Sequence, residues 1–116
     1  IWEGKCSSLR PNAEVVEQFD KCAISLAKIE THFFKNNCFI KENQIIENID
    51  KIKNIKCFIV HGRYDIVCPI NQAFDLHCHY DNSELNIIDD AGHSLLEPGI
   101  TRKILEIFEE SSNFDY

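Results

Sequence analysis

The second half of the chain alternates between short apolar runs and helical patterns, and this order constrains the fold more than any other feature. Residues Cys57–Val60 form a continuous apolar run, which is typical of a strand buried on both faces of a sheet. A helical pattern follows over 69–80, then a second short strand over Leu85–Ile88, then an amphipathic helix from Pro98 to about Phe108. This order predicts an α/β fold with a parallel sheet.

Two strands are too few to form such a sheet on their own. Each would lie at an edge while carrying apolar side chains on both faces. The 116 residues also contain no methionine, so the sequence carries no initiator. We therefore expect further strands outside this sequence and interpret the chain as the C-terminal portion of a larger α/β protein.

The first half of the chain is predicted to be helical. Apolar residues recur at alternating steps of four and three over about Asn12 to Phe34, which predicts one long amphipathic helix. Isoleucines on one side of the segment Glu42–Ile52 favour a second, shorter helix. We expect residues 1–50 to form an insertion or lid and residues 51–116 to belong to the α/β core.

Charge and cysteine content exclude several classes of partner. With 12 basic and 19 acidic residues the net charge is −7, so no basic surface is expected for nucleic acid or an anionic membrane. The apolar stretches are far shorter than the roughly 20 residues that span a bilayer. Six cysteines occur without a Cys-x-x-Cys pair in a chain rich in periodic segments, which favours reduced thiols and a cytoplasmic location over a secreted disulfide framework.

Two residues that could carry chemistry follow the two predicted strands. Asp65 comes just after the first strand and His93 just after the second. Because ligands bind outside the carboxyl ends of parallel strands, we expect both side chains in one crevice. A carboxylate there could fix the imidazole tautomer and stabilise the imidazolium formed when the histidine takes a proton. Taken singly, each residue is more simply a turn or loop residue, and only their joint placement favours catalysis.

The remaining histidines do not predict a metal site. His77 and His79 lie two positions apart on a predicted helix, so their side chains point to different sides and cannot converge on one ion. His61, before the turn at Gly62, is interpreted as a hydrogen-bonded structural residue. Since no His-Glu-x-x-His pattern occurs either, we expect neither a metal nor another cofactor.

Two segments of the chain resemble a known family. The sequences HGRYDIVCPI and DAGHSLLEPGI are similar to those of the proline iminopeptidases, which are serine exopeptidases with the α/β-hydrolase fold. The segments around Trp2-Glu3-Gly4 and over 27–34 resemble the helical cap of that family. The resemblance implies that the last two parallel strands of an α/β-hydrolase core, with their flanking helices, follow part of a cap.

The resemblance also implies an activity and roles for individual residues. Such enzymes release an N-terminal proline from peptides through an acyl-enzyme, with Asp65 in the position of the triad acid and His93 in that of the general base. The nucleophilic serine lies in a G-x-S-x-G elbow, and that pattern does not occur in this sequence. We therefore expect the serine in an N-terminal part of the same domain, outside this chain, and the chain alone to be inactive.

Four further residues match substrate-binding positions of the family. Glu3 and Glu30 are implied to bind the free α-amino group of the peptide, and two carboxylates are suitable partners for a desolvated ammonium. Without the resemblance, Glu30 would be a solvent-facing residue at the boundary of an apolar face. Val67 and Cys68 are implied to lie against the prolyl ring, although simple packing would also explain a cysteine there.

Two alternatives to a peptidase remain open. An esterase or an epoxide hydrolase would keep the fold and the Asp65–His93 pair, but its substrate has no ammonium for Glu3 and Glu30 to bind. A catalytically incomplete interaction module is the alternative from a different class. An absence of any G-x-S-x-G pattern from the full gene would favour that module.

Overall fold

A computed structural model of the chain describes residues 2–111. Four α-helices, two strands and two short 3-10 helices make up the described part. In chain order they are α1 (Trp2–Cys6), α2 (Ala13–Lys35), a 3-10 helix (Asn37–Phe39), a second 3-10 helix (Ile46–Lys51), β1 (Cys57–Gly62), α3 (Ile70–His79), β2 (Ser83–Ile88) and α4 (Pro98–Ser111).

The two strands form a parallel sheet, as predicted. Cys57 lies opposite Ser83 at one end of the register, and Gly62 lies opposite Ile88 at the other. Helix α3 is the crossover between the strands and contacts both of them, and α4 packs on the same sheet. The mixed α/β order is therefore confirmed, and both strands are longer than predicted, by two residues at the end of β1 and by two at the start of β2.

The long helix of the first half is also confirmed. Its N-cap is Asn12, whose side-chain oxygen accepts hydrogen bonds from the backbone N–H groups of Glu14 and Val15. An asparagine at this position satisfies N–H groups that have no partner within the helix. Helix α1 contacts α2 where Gly4 meets Phe19, and a Cβ at Gly4 would lie 3.1 Å from the Phe19 Cβ.

The predicted helix over Glu42–Ile52 is wrong as an α-helix. The segment begins with turns and forms only the 3-10 helix Ile46–Lys51. Asn43 has a φ of 56°, in the left-handed region, so a right-handed helix cannot start before it. The nine residues of the predicted helix that follow Asn43 include four β-branched isoleucines, which add little helix propensity.

The strand β1 is less buried than its apolar sequence predicts. Its first five residues, Cys57 to His61, are half-buried rather than buried. One face of the sheet borders an open groove of about 860 Å³, whose walls include Phe58 and Val60 on β1 and Ile104 and Phe108 on α4. The two-stranded sheet therefore leaves part of its apolar surface uncovered.

The residues with little exposure lie where the elements meet. They include Val15, Ile49, Tyr80, Ala91 and Ile100. The hydroxyl of Tyr80 lies within hydrogen-bond distance of the carbonyl oxygens of Ile52 and Ile55, which fixes the approach to β1 against the end of α3. Over residues 2–111 the helices are too short or too polar to cross a bilayer.

Candidate active site

The side chains of Asp65 and His93 meet beyond the carboxyl ends of the two strands. Asp65 follows β1 and His93 follows β2, and the His93 Nδ1 lies 2.9 Å from the Asp65 Oδ2. The Asp65 side chain is only 5% exposed, whereas the His93 side chain is 32% exposed. With Nδ1 donating to the carboxylate, the Nε2 of the ring is the nitrogen that can accept a proton.

The Asp65 carboxylate is oriented by its own loop. Its Oδ1 accepts hydrogen bonds from the backbone N–H groups of Val67 at 2.9 Å and Cys68 at 2.8 Å. An aspartate that binds the backbone two and three residues ahead forms a local turn and loses rotational freedom. This turn leaves the second oxygen, Oδ2, directed at His93.

Gly62 brings the two site loops together. A Cβ at this position would lie 2.0 Å from the carbonyl oxygen of Gly92 and 2.6 Å from that of Ala91. The adjoining backbone is hydrogen-bonded across the same contact, since the Tyr64 N–H donates to the Ala91 carbonyl at 3.0 Å. Only a residue without a side chain permits this approach, and the sequence pattern alone did not reveal it.

His61 also faces the site. Its Nε2 lies 3.0 Å from the carbonyl oxygen of Cys68 and 3.6 Å from the Asp65 Oδ2. A carbonyl can only accept, so the Nε2 is the protonated nitrogen of the ring. The structural interpretation from sequence agrees with this bond, but its position beside the Asp65 carboxylate was not predicted.

Three of the predicted substrate-binding residues lie close to this pair. Val67 and Cys68 belong to the Asp65 turn, and Cys68 is exposed. Partial burial and the negative charges of Asp65 and Glu3 raise the pKa of the Cys68 thiol. The Glu3 carboxylate is therefore close enough to act on the thiol, although 65 residues separate them in the sequence.

No hydrogen bond or ion pair of the described residues joins Glu30 to this group. It lies on α2 and is half-exposed, and within residues 2–111 no hydrogen bond or ion pair joins its carboxylate to another side chain. Its role in binding an amino group stays a prediction. Over the same residues no cluster of three or more His, Cys, Asp or Glu side chains is suited to a metal ion.

Comparison with known proteins decides which family the chain resembles. It is 44% identical over 107 residues to a proline iminopeptidase of Arabidopsis thaliana, and 39% identical over 109 residues to a probable proline iminopeptidase of Leptolyngbya boryana. The chain matches the C-terminal part of proline iminopeptidases. These alignments cover 90% and 91% of the chain but only 28% and 34% of the two relatives, so the chain spans about a third of their length.

The match to proline iminopeptidases extends to more distant relatives. A proline iminopeptidase of Neisseria gonorrhoeae is 29% identical over 110 residues, which is 94% of the chain. Because an alignment over 90% of the chain leaves only about a tenth of it outside, Asp65 and His93 fall within the span shared with the Arabidopsis proline iminopeptidase. No protein-family model matches the chain.

Proposed function

We propose that the chain is the C-terminal part of an α/β-hydrolase-fold serine exopeptidase that releases N-terminal proline from peptides. The observation that carries this proposal is the Asp65–His93 hydrogen bond at the carboxyl ends of adjacent parallel strands. Its support is the similarity to proline iminopeptidases over about 90% of the chain. The curated relatives are about three times as long, so the proposal concerns a protein that includes this chain.

The proposed mechanism assigns proton transfer to His93. As a serine hydroxyl from another part of the protein attacks the prolyl carbonyl, the His93 Nε2 takes its proton, and Asp65 stabilises the imidazolium that forms. The imidazolium then gives the proton to the leaving amine, which departs as the shortened peptide. Water repeats the cycle on the acyl-enzyme and releases proline, with His93 again taking and returning the proton.

Selectivity for a free N-terminus is assigned to Glu3 and Glu30. An ammonium taken out of water needs charge-assisted hydrogen bonds, and a carboxylate provides them. The position of Glu3 supports this assignment, because its charge acts on the Cys68 thiol next to Asp65. Val67 and Cys68 are assigned to the wall of the prolyl pocket on the basis of the same turn.

The uncovered face of the sheet is assigned to contact with the rest of the same domain. The groove beside β1 is lined mainly by apolar side chains, among them Phe58, Val60 and Ile107. Burying such a face against further strands and helices removes apolar surface from water, at roughly 25 cal/mol per Å². The nucleophilic serine and its oxyanion hole belong to that remaining part, and we place the whole enzyme in the cytoplasm.

Hydrolysis of three anilides by the full-length gene product tests the proposal. We expect cleavage of prolyl anilide, little cleavage of alanyl anilide, and none of N-acetylprolyl anilide, because acetylation removes the ammonium that Glu3 and Glu30 bind. The 116-residue chain alone is the control and is expected to be inactive. Activity on a simple ester without activity on any anilide would retain the Asp65–His93 pair and reject the peptidase.

A further inference from the structure

Glu97 is a buried acidic residue that joins two distant segments. It follows His93 by four residues and is only 9% exposed. The Oε1 atom accepts hydrogen bonds from the backbone N–H of Gly92, at 3.2 Å, and from the backbone N–H of Leu9. One carboxylate oxygen thus ties residue 92, next to His93, to a segment that precedes it by more than eighty residues.

A second contact joins the same segments on the other side of His93. The backbone N–H of Ser94 donates to the carbonyl oxygen of Ser7 at 2.6 Å. Ser7 is fully buried, and its hydroxyl donates in turn to the carbonyl oxygen of Glu3 at 2.7 Å. The backbone of His93 is therefore held on both sides by the segment that directly follows the helix carrying Glu3.

The free-energy cost of burying the Glu97 carboxylate indicates that its hydrogen bonds have a structural or functional role. A carboxylate removed from water is destabilising unless it is paired or well hydrogen-bonded. Within residues 2–111 no lysine, arginine or histidine forms an ion pair with Glu97, so backbone N–H groups are its partners. An apolar residue would fill the volume at a smaller desolvation cost, but it could not join Leu9 to Gly92.

We propose that Glu97 is a positioning residue that fixes His93 relative to Glu3. Its hydrogen bonds to Leu9 and Gly92 hold the loop that carries His93 against the segment after α1. They thereby set the distance between His93, which transfers the proton, and Glu3, which binds the substrate amine. The proposal rests on the proposed function for the roles of His93 and Glu3. The contact itself is a property of the fold and can be tested separately.

Amide hydrogen exchange in the full-length protein tests the contact without reference to activity. We expect Glu97→Ala to speed exchange at residues 7–9 and 92–94 together by about tenfold, the factor for about 1.4 kcal/mol of lost hydrogen bonding. Glu97→Gln keeps an oxygen acceptor and is expected to retain most of the protection. Glu42→Ala, at an exposed glutamate, is the matched control and should leave both segments unchanged.

Steady-state kinetics test the positioning role. With prolyl anilide, Glu97→Ala is expected to raise KM and lower kcat together, up to about 100-fold in kcat for a displacement near 1 Å. With a simple ester, which has no ammonium for Glu3, only kcat is expected to fall. Glu97→Gln is expected to restore both constants largely, and Glu42→Ala to leave them unchanged.

Several results would overturn the proposal. Exchange that rises in only one of the two segments, or kinetic constants unchanged in a Glu97→Ala protein of lower melting temperature, would reduce Glu97 to a structural residue. If Glu97→Ala does not fold, the Glu97→Gln variant provides the test. Amide exchange at residues 7–9 and 92–94 of that variant as fast as in an unprotected loop would contradict the proposal. A parent protein inactive on both substrates would reject the proposed function, while the exchange data would still decide the contact.

Discussion

Replacing Gly62 by alanine directly tests how the fold brings Asp65 to His93. The new Cβ would lie 2.0 Å from the Gly92 carbonyl oxygen and 2.6 Å from the Ala91 carbonyl oxygen. Both obstacles are backbone atoms, which cannot rotate away as the tip of a side chain can. The 61–65 loop and the 91–93 loop must therefore move apart if the variant is to fold.

The size of that movement follows from the distances. Cβ atoms essentially never lie within 3.0 Å of a heavy atom from another part of the chain, so the 2.0 Å contact with the Gly92 carbonyl oxygen must open by at least 1.0 Å. The same shift along the 2.9 Å bond between Asp65 and His93 would lengthen it to about 3.9 Å, beyond hydrogen-bond range. We expect kcat to fall between about 10²-fold, the effect of a 1 Å misplacement, and about 10⁴-fold, the effect of losing the triad acid.

The assay is hydrolysis of prolyl anilide by the full-length protein, with thermal unfolding measured beside it. We expect a loss of stability of about 3 kcal/mol, the upper part of the range for overpacked sites. Gly99→Ala is the control for overpacking, because its Cβ would meet the Ile88 Cγ2, a side-chain atom, at 2.5 Å and not the backbone of a site loop. A Gly62→Ala protein whose kcat lies within twofold of the parent would refute the reasoning.

Two further predictions concern the Asp65 turn. Asp65→Asn should preserve the fold and lower kcat by about 10⁴-fold, as in serine protease triads, and a near-normal rate would remove Asp65 from the mechanism. We expect a maleimide to inactivate the full-length protein and Cys68→Ser to protect it, whereas Cys78→Ser, at another exposed cysteine, should leave the sensitivity unchanged. Because burial and the charges of Asp65 and Glu3 raise the pKa of the Cys68 thiol, its thiolate fraction at neutral pH is below that of an ordinary thiol. Inactivation should therefore be slower than alkylation of free cysteine at pH 7 and accelerate as the pH rises, and a rate independent of pH would contradict this assignment.

The sequence predicted those parts of the fold that depend on local periodicity. The stripe over Asn12–Phe34 was enough to predict α2, and the apolar runs were enough to predict two strands with a helix between them. The prediction of an α-helix over Glu42–Ile52 was wrong because Asn43 has a left-handed backbone conformation, and a pattern of isoleucines carries no information about φ. The 3-10 helix over Asn37–Phe39 was missed for the same reason, since all three residues have positive φ.

The features of the candidate site also differ in whether local sequence patterns could predict them. The meeting of Asp65 with His93 was predictable because parallel strands end at the same edge of a sheet. Gly62 and Glu97 were not, because each acts on backbone atoms of another segment and neither forms part of a periodic pattern. The link from Leu9 to Glu97 spans 88 residues, so only the folded chain brings its partners together.

That span has a consequence for how the protein folds. The sheet and its crossover helix are built from neighbouring parts of the chain, whereas the contact from Leu9 to Glu97 closes a loop of 88 residues. Closing such a loop costs roughly 4 kcal/mol in chain entropy, which is recovered only after both ends have formed. Once the rest of the sheet is present, the pairing of β1 with β2 should therefore form before the contact from Leu9 to Glu97, and the His93 loop should reach its final position after the strand that precedes it.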